Sequence, residues 1–203
     1  MKVIVSNYRT GSTTLAKSLG GTGQEHLHED REGVDVKPKF IGPNHEKVFK
    51  VMPDQWRYEE HWDDFKKLYL EPAEKIYICA RKDFDAQVTS MVYSGTTFDW
   101  HPHQIDLYNK VKDCNQKEYI DWGGGFANKL LKNLEWQRKV YEEFDCELIW
   151  LEDRYNKEEA YKRRYDVKIP EFYFSIIPED YFNGKCKIEN RLVQNYTHQW
   201  IDK

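Results

Sequence analysis

Short runs of β-branched and apolar residues alternate along this chain with stretches of helical pattern, and this alternation constrains the fold more than any other feature. The predicted strands are Lys2–Ser6, Gln24–Glu29, Lys47–Met52, Lys75–Ala80 and Glu147–Leu151. The predicted helices are Ser12–Leu19, Gln55–Leu70, Phe84–Tyr93 and Phe126–Phe144, and polar helical stretches are predicted after the last strand. Strands separated by helices join as right-handed βαβ units. The sequence therefore predicts an α/β fold with a mostly parallel central sheet flanked by helices.

Length and composition narrow the class of protein. At roughly 150 residues per domain, a chain of 203 residues favours a single domain over 1–203. Charged residues make up 33% and no apolar run approaches the roughly 18 residues of a membrane helix, so no membrane span is expected. Strand-like residues follow Met1-Lys2 directly, with no apolar leader, which predicts a cytoplasmic location.

The net charge and the spacing of the cysteines argue against nucleic-acid-binding, zinc-binding and disulfide-rich proteins. A formal net charge of −4 argues against a nucleic-acid partner, because affinity for nucleic acid comes largely from clustered Lys and Arg. The four cysteines form no CxxC pair, so we expect reduced thiols and neither a zinc site nor a disulfide framework.

The turn between the first strand and the first helix has the residue types of an anion-binding loop. Gly11 permits a backbone path that other residues resist, and successive N–H groups of such a turn point into one concavity. Arg9 supplies a planar guanidinium suited to phosphate or sulfate oxygens, and hydroxyl groups follow at Ser12, Thr13 and Thr14. Alternatively, Ser12 merely caps the helix and Arg9 is a solvated surface charge. The loop lacks the GxxxxGK[ST] pattern, which disfavours ordinary ATP or GTP hydrolysis.

A second candidate turn follows the strand Lys75–Ala80. Arg81 stands at the strand end, and Ser90 lies about two turns into the next helix, where it can face back toward the strand tip. P-loop NTPases have an acidic magnesium-binding residue at such a strand end, and Arg81 stands in its place. Two anion-binding turns without that carboxylate indicate a nucleotide phosphorylated at two places. The alternative is that Arg81 forms a structural ion pair with Asp83 or Asp85.

Taken together, the two turns resemble the phosphate-binding motifs of sulfotransferases that use 3′-phosphoadenosine 5′-phosphosulfate (PAPS) as donor. The segment Arg9-Thr10-Gly11-Ser12-Thr13 resembles the 5′-phosphosulfate loop, commonly written RSGST or RSGTT. The pattern RxDxxxQxxS of trehalose sulfotransferase-like members is matched by Arg81, Asp83, Gln87 and Ser90. Weaker matches follow in that subgroup's order: Phe49–Met52, Asp54-Gln55, Gly95 through Trp100-His101, Trp136, Gln194 and Trp200. The resemblance implies a P-loop-NTPase-like sulfotransferase fold.

The resemblance also implies roles for individual residues. The 5′-phosphosulfate would be bound by Arg9, Thr10, Gly11, Ser12, Thr13 and Thr14, and the 3′-phosphate by Arg81 and Ser90. The sulfonate would pass to a hydroxyl group of a small-molecule or glycan acceptor, leaving adenosine 3′,5′-bisphosphate (PAP), with no metal required. Glu29, about twenty residues beyond Arg9, corresponds to the family's general base, and Glu25 is the alternative on the same predicted strand. Lys50 is a candidate for contact with the transferring sulfonate or the bridging oxygen, and a surface lysine is the alternative. His101 is a candidate for contact with the acceptor or the sulfonate, and it is a further alternative for the base.

Other candidates and functions stay open at this point. Trp56 and Trp100 are candidates for an acceptor pocket, because aromatic faces stack on sugars and phenols. Arg191 and Gln194 are candidates for closing over the nucleotide, and a charged helix face explains Arg191 just as well. The i, i+2 spacing of His101 and His103 is compatible with a metal site, but no third ligand is evident, which favours a solvated loop pair. Two other functions compete with a sulfotransferase: a P-loop nucleotide kinase or NTPase, and a non-catalytic protein that binds a bisphosphorylated nucleotide.

Overall fold

The computed structural model describes residues 1–21, 23, 47–52, 58–97, 116–154, 170–188 and 197–200. Within these ranges the fold is α/β, as the sequence predicts. The strands are β1 (Lys2–Ser6), β2 (Val48–Val51), β3 (Lys75–Ala80), β4 (Cys146–Trp150), β5 (Pro170–Tyr173) and β6 (Thr197–Trp200). The helices are α1 (Ser12–Ser18), α2 (Tyr58–Phe65), α3 (Phe84–Thr97), α4 (Gln116–Glu143), α5 (Leu151–Arg154) and α6 (Pro178–Phe182).

A four-stranded parallel sheet in the order β2-β1-β3-β4 forms the centre of the fold. In its register Ile4 lies opposite Lys50 of β2, and Ser6 lies opposite Cys79 of β3. The chain moves from β1 to β2 on one side and then crosses to β3 on the other. Parallel sheets bind ligands where the strand order reverses in this way, outside the carboxyl ends of the strands. The carboxyl ends of β1 and β3 are therefore the first place to look for a site.

Strand β1 is deeply buried. Its apolar residues Val3, Ile4 and Val5 are fully buried, as expected of a parallel strand that is covered on both faces. One cluster of the core joins this strand to α1, β2 and β3 through Ile4, Leu15, Ala16, Val48 and Cys79. Burial of apolar surface stabilises the folded state by about 25 cal/mol per Å². This burial holds β1, the strand that leads into the first loop, in place.

Helix α2 and the following π-helical segment Lys66–Leu70 confirm the predicted end of the second helix, just before Pro72. Proline lacks the N–H group that a further helical turn requires. The rings of Trp62 and Trp136 lie 5.2 Å apart and are tilted by 36°, which packs α2 against α4. The Lys139 ammonium lies 4.2 Å from the Trp62 ring centroid, a cation–π contact that covers this aromatic pair.

The predicted start of the long helix is wrong. Helix α4 begins at Gln116 and runs through the triple glycine at 123–125, whereas the sequence predicted a start at Phe126. A glycine costs about 1 kcal/mol in a helix interior, which disfavours a helix but does not break its hydrogen-bond ladder. Similarly, α3 continues to Thr97 beyond the predicted end at Tyr93.

The chain also forms strands where only helical stretches were predicted. Strands β5 and β6 pair antiparallel, with Phe172 opposite His198. Each strand is four residues long, and such short segments carry little periodicity from which a strand can be predicted. The predicted strand Gln24–Glu29 lies outside the described residues.

The contacts divide the chain into two compact units, 1–80 with 132–149 and 81–131 with 150–203. The first unit holds the parallel sheet up to residue 149, and the second holds α3, β5 and β6. In the second unit the rings of Phe84 and Phe174 meet edge to face with centroids 5.4 Å apart. The single domain over 1–203 stays a prediction. Among the described helices, none has both the length and the apolar character needed to cross a membrane.

Candidate functional site

The loop between β1 and α1 has the backbone of an anion-binding turn. Arg9 and Gly11 have positive φ angles of 59° and 72°, and Thr10 between them does not. Alternation of left- and right-handed residues turns successive N–H groups toward one side, the geometry of a nest for anions. Gly11 also occupies the cap position of α1, without any side-chain capping bond, so Ser12 is the first helical residue and not the cap. The alternative in which Ser12 merely caps the helix is wrong.

Hydrogen bonds within the loop hold this backbone in place. The Thr10 hydroxyl donates to the carbonyl of Asn7 at 2.8 Å, and the Asn7 side-chain oxygen accepts from the Tyr8 N–H at 2.8 Å. Asn7 and Thr10 are both buried. Because Arg9 is a non-glycine residue with a positive φ angle, its conformation is sparsely populated, and these bonds offset the cost.

Lys50 reaches this loop from the neighbouring strand. Its side chain is 2% exposed, and its Nζ donates a hydrogen bond of 2.9 Å to Oγ1 of Thr13. The register of the sheet explains the contact. Lys50 lies on β2, directly beside Ile4 of the adjacent strand β1. The predicted candidates Lys50 and Thr13 are thus brought together, and a buried cation adjoins the loop.

Strands β2 and β3 also hold the loop and its entry. The Cys79 thiol donates to the carbonyl oxygen of Thr10 at 3.1 Å, and the Ser6 hydroxyl donates to the carbonyl oxygen of Val51 at 3.3 Å. Cys79 is buried. The loop conformation therefore depends on the strands on both sides of β1.

Sequence reasoning missed a pair of buried amide side chains on α4. Nε2 of Gln137 donates to the carbonyl oxygens of Val5 at 3.1 Å and Cys79 at 2.8 Å, which links the carboxyl ends of β1 and β3. One turn earlier, Nδ2 of Asn133 donates to Oδ1 of Asn7 at 3.3 Å. The sequence signal for this pair is two amides spaced i, i+4 within an apolar helix stripe that includes Leu130 and Leu134.

The turn that follows β3 belongs to the second unit and is organised by Glu152. Arg81 is 6% exposed, and its Nε lies 3.6 Å from Oε1 of Glu152. The two carboxylate oxygens of Glu152 accept the backbone N–H groups of Lys82 at 2.9 Å and Asp83 at 3.1 Å. Arg81 is therefore an ion-pair partner, but its partner is Glu152 and not Asp83 or Asp85. Nothing in the local sequence around Arg81 marks Glu152.

The two aspartates named in that alternative have other roles. Oδ1 of Asp83 accepts the N–H of Ala86 at 2.9 Å and so caps the start of α3. Oδ1 of Asp85 accepts the N–H of Phe174 at 2.6 Å. Ser90, the other predicted residue of this turn, is buried on α3.

A surface ion network surrounds the same turn. The Lys82 ammonium lies 2.9 Å from Asp153 and 3.1 Å from Glu179. The hydrogen bonds to Asp153 and then Glu179 raise the pKa of Lys82, so this lysine stays charged over the whole neutral range. Lys82 is engaged by carboxylates at the surface, whereas Arg81 beside it is buried.

Several predicted residues lie outside the described ranges: Glu25, Glu29, Trp56, Trp100, His101, His103, Arg191 and Gln194. Their predicted roles stay predictions. Within the described ranges, no group of three or more His, Cys, Asp or Glu side chains is arranged to hold a metal ion.

Comparison of the chain with protein-family models, with curated proteins and with solved structures finds no match. The chemistry of the site must therefore be argued from its geometry. The first unit has a nest-like loop with a buried ammonium against it, at the edge where the strand order reverses. The second unit has a buried guanidinium whose Nε makes no hydrogen bond in the described part of the chain. Both arrangements suit oxyanions of phosphate or sulfate.

Proposed function

We propose that this protein is a sulfotransferase that moves the sulfonate of PAPS to a hydroxyl group of a small-molecule or carbohydrate acceptor. The Arg9–Thr14 loop binds the 5′-phosphosulfate, and Arg81 with Ser90 binds the 3′-phosphate. The proposal rests on the sequence resemblance together with the geometry of the two turns.

The observation that carries the proposal is the 2.9 Å hydrogen bond from Lys50 to Thr13. This bond holds the Lys50 ammonium against the Arg9–Thr14 loop, in which positive and negative φ angles alternate. The loop lies at the carboxyl end of β1, where the strand order reverses and where parallel sheets bind ligands. A sulfonate that leaves a phosphate oxygen spreads negative charge over both groups. A fixed cation and fixed N–H dipoles stabilise such charge without reorganising during the reaction.

The residues of the second turn suit a 3′-phosphate. A buried nitrogen without a hydrogen-bond acceptor costs about 1–3 kcal/mol, and Nε of Arg81 is such an atom. A phosphate oxygen is the acceptor that a guanidinium group binds best. Ser90 is buried on the adjoining helix α3 and supplies a hydroxyl.

PAPS supplies the activated sulfur–oxygen bond. The protein positions the two substrates, stabilises the developing negative charge and provides a base. The reaction forms a bond between the acceptor oxygen and sulfur and breaks the bond between sulfur and the bridging phosphate oxygen. Glu29 accepts the proton of the acceptor hydroxyl, with Glu25 as the alternative base. A carboxylate with a pKa near 4.3 is ionised at neutral pH and can take this role.

Ligand-dependent stability tests the proposal first. At 100 times its dissociation constant, PAP adds about 2.7 kcal/mol of stability, a rise in Tm of about 5–10 °C. We expect this rise with PAP in the absence of magnesium. Stabilisation only by ATP with magnesium contradicts the proposal and favours a nucleotide kinase or NTPase.

Transfer is tested with PAPS and a panel of metabolite extracts, with mass spectrometry following the gain of a sulfonate. A product that forms only with both PAPS and enzyme supports a sulfotransferase. Binding of PAP without any product across sugars, phenols and alcohols favours a non-catalytic nucleotide-binding protein. The Lys50→Met variant should lose transfer, and Lys17→Ala, which removes an exposed lysine on α1, is the matched control.

A further inference from the structure

Glu152 is a nearly buried carboxylate that the sulfotransferase mechanism does not use. Its side chain is 12% exposed and stands just beyond β4, the strand next to β3 in the sheet. Its Oε2 accepts the N–H of Lys82 and its Oε1 accepts the N–H of Asp83. Both oxygens are thus bonded to the backbone of the turn that carries Arg81.

The same carboxylate also faces the Arg81 side chain. Oε1 lies 3.6 Å from Nε, a separation that allows charge attraction but exceeds the length of a hydrogen bond. Nε remains without a hydrogen bond among the described residues. Glu152 therefore holds the guanidinium by charge and leaves Nε for another acceptor.

Glu152 also determines how an anion can bind at this turn. The N–H groups of Lys82 and Asp83 donate to Glu152, and the N–H of Ala86 donates to Asp83. These donors are satisfied within the protein, unlike the N–H groups of a nest that is open to a ligand. An anion at this turn consequently binds to side chains, with Arg81 as the cation.

We propose that Glu152 is the positioning residue that fixes Arg81 for the 3′-phosphate of the nucleotide. This inference rests on the proposed function and extends it to the selectivity for nucleotides that carry a 3′-phosphate. Two opposing effects act on the phosphate: the negative charge of Glu152 repels it, and the fixed guanidinium attracts it. The fixed geometry outweighs the repulsion, because without Glu152 the Arg81 side chain loses rotamer entropy when the ligand orders it.

The test compares nucleotides with and without the 3′-phosphate. Isothermal titration calorimetry measures the Kd of PAP and of adenosine 5′-phosphosulfate for the wild type, Glu152→Ala and Glu152→Gln. We expect Glu152→Ala to weaken PAP binding by about 10- to 100-fold and to change the Kd of adenosine 5′-phosphosulfate by less than about 3-fold. Glu152→Gln keeps the length and one acceptor oxygen, so it should recover part of the loss. Melting curves establish that each variant is folded.

Two controls separate positioning from a general structural role. Asp153→Ala removes the neighbouring carboxylate, which pairs with Lys82 at the surface, and should leave both Kd values unchanged. In an Arg81→Ala background, Glu152→Ala should change the Kd of PAP by less than about 2-fold, because the group that it positions is gone.

Each alternative outcome has a distinct meaning. An equal rise in the Kd of both nucleotides in the Glu152 variants shows a merely structural role for Glu152 and overturns the inference. Unchanged or tighter PAP binding in both Glu152 variants shows that the repulsion dominates and also overturns it, while the proposed function stands. Failure of the wild type to bind PAP overturns the proposed function and the inference with it.

Discussion

The ammonium of Lys50 and the hydroxyl of Thr13 are joined by a 2.9 Å hydrogen bond between residues separated by 37 positions in the chain. The bond brings a cation from the sheet to a loop whose own residues include one further cation, Arg9. Parallel pairing of β1 with β2 makes this possible, because it places Lys50 next to the strand that leads into the loop. The Arg9–Thr14 loop and the Lys50 ammonium are therefore held together by the pairing of these two strands.

Replacement of Lys50 by methionine should weaken binding at the 5′ end of the nucleotide. Methionine fills a similar volume but removes the charge and the bond to Thr13. We expect the Kd of adenosine 5′-phosphosulfate to rise by about 10- to 100-fold, the size of a lost charged hydrogen bond. Calorimetry measures the change, and Lys17→Ala should bind like the wild type. An unchanged Kd for Lys50→Met removes Lys50 from the site.

Replacement of Gln137 by leucine should destabilise the fold at the carboxyl ends of β1 and β3. The variant loses the two hydrogen bonds to Val5 and Cys79, although it also removes the Gln137 oxygen, which is buried without a hydrogen bond among the described residues. We expect a net loss of about 1–3 kcal/mol in the free energy of unfolding. Gln137→Glu should cost more, because it buries a carboxylate beside carbonyl oxygens.

Urea unfolding measures both Gln137 variants. Arg138→Ala on the same helix is the control, since it removes a partly exposed ion pair with Glu142. Such pairs contribute about 0–1 kcal/mol. If Gln137→Leu is no less stable than the control, the amide does not hold the two strands.

Replacement of Glu29 by glutamine should lower turnover by about 10²- to 10⁴-fold and leave the Kd of PAP unchanged. Glutamine has the shape of the side chain but cannot accept the acceptor proton. Steady-state transfer from PAPS measures the rate, and calorimetry measures the binding. Near wild-type turnover would assign the base to Glu25 or His101, and the corresponding variants would then be measured.

The Cys146 thiol should be unreactive in the folded protein at neutral pH. Burial, followed by the nearby charge of Asp145, raises the pKa of this thiol to about 12, well above about 8.5 for a free cysteine. The folded state therefore holds the proton more tightly than the unfolded state. The contribution to stability is present below about pH 8.5 and is lost as the pH rises from there toward 12.

Alkylation followed by peptide mass spectrometry measures the reactivity of Cys146 as a function of pH. We expect the rate to keep rising above pH 9, where the rate of a free thiol levels off, because the thiolate is the reacting form. A plateau near pH 9 in the folded protein contradicts the raised pKa. Cys146→Ser removes the labelled peptide and confirms the assignment.

The strands of the central sheet were the easiest elements to predict. Lys2–Ser6 and Lys75–Ala80 match β1 and β3, and the predicted Glu147–Leu151 differs from β4 by one residue at each end. The β-branched and apolar runs of β1 and β3 produce this pattern because both faces of these parallel strands are largely covered, whereas β4 is only partly buried. Helix α4 was harder, because packing outweighs the local cost of the glycines near its start.

The sequence by itself determined the α/β class, the chain positions of the central strands and the residue types of the two turns. Those properties depend on local periodicity and on backbone preference, which neighbouring residues reveal. Only the tertiary structure decided that Glu152 pairs with Arg81, that Lys50 bonds to Thr13 and that Gln137 links β1 to β3. Each of these contacts joins residues far apart in the chain, and strand order and register, which are set by burial of the whole core, decide which side chains meet.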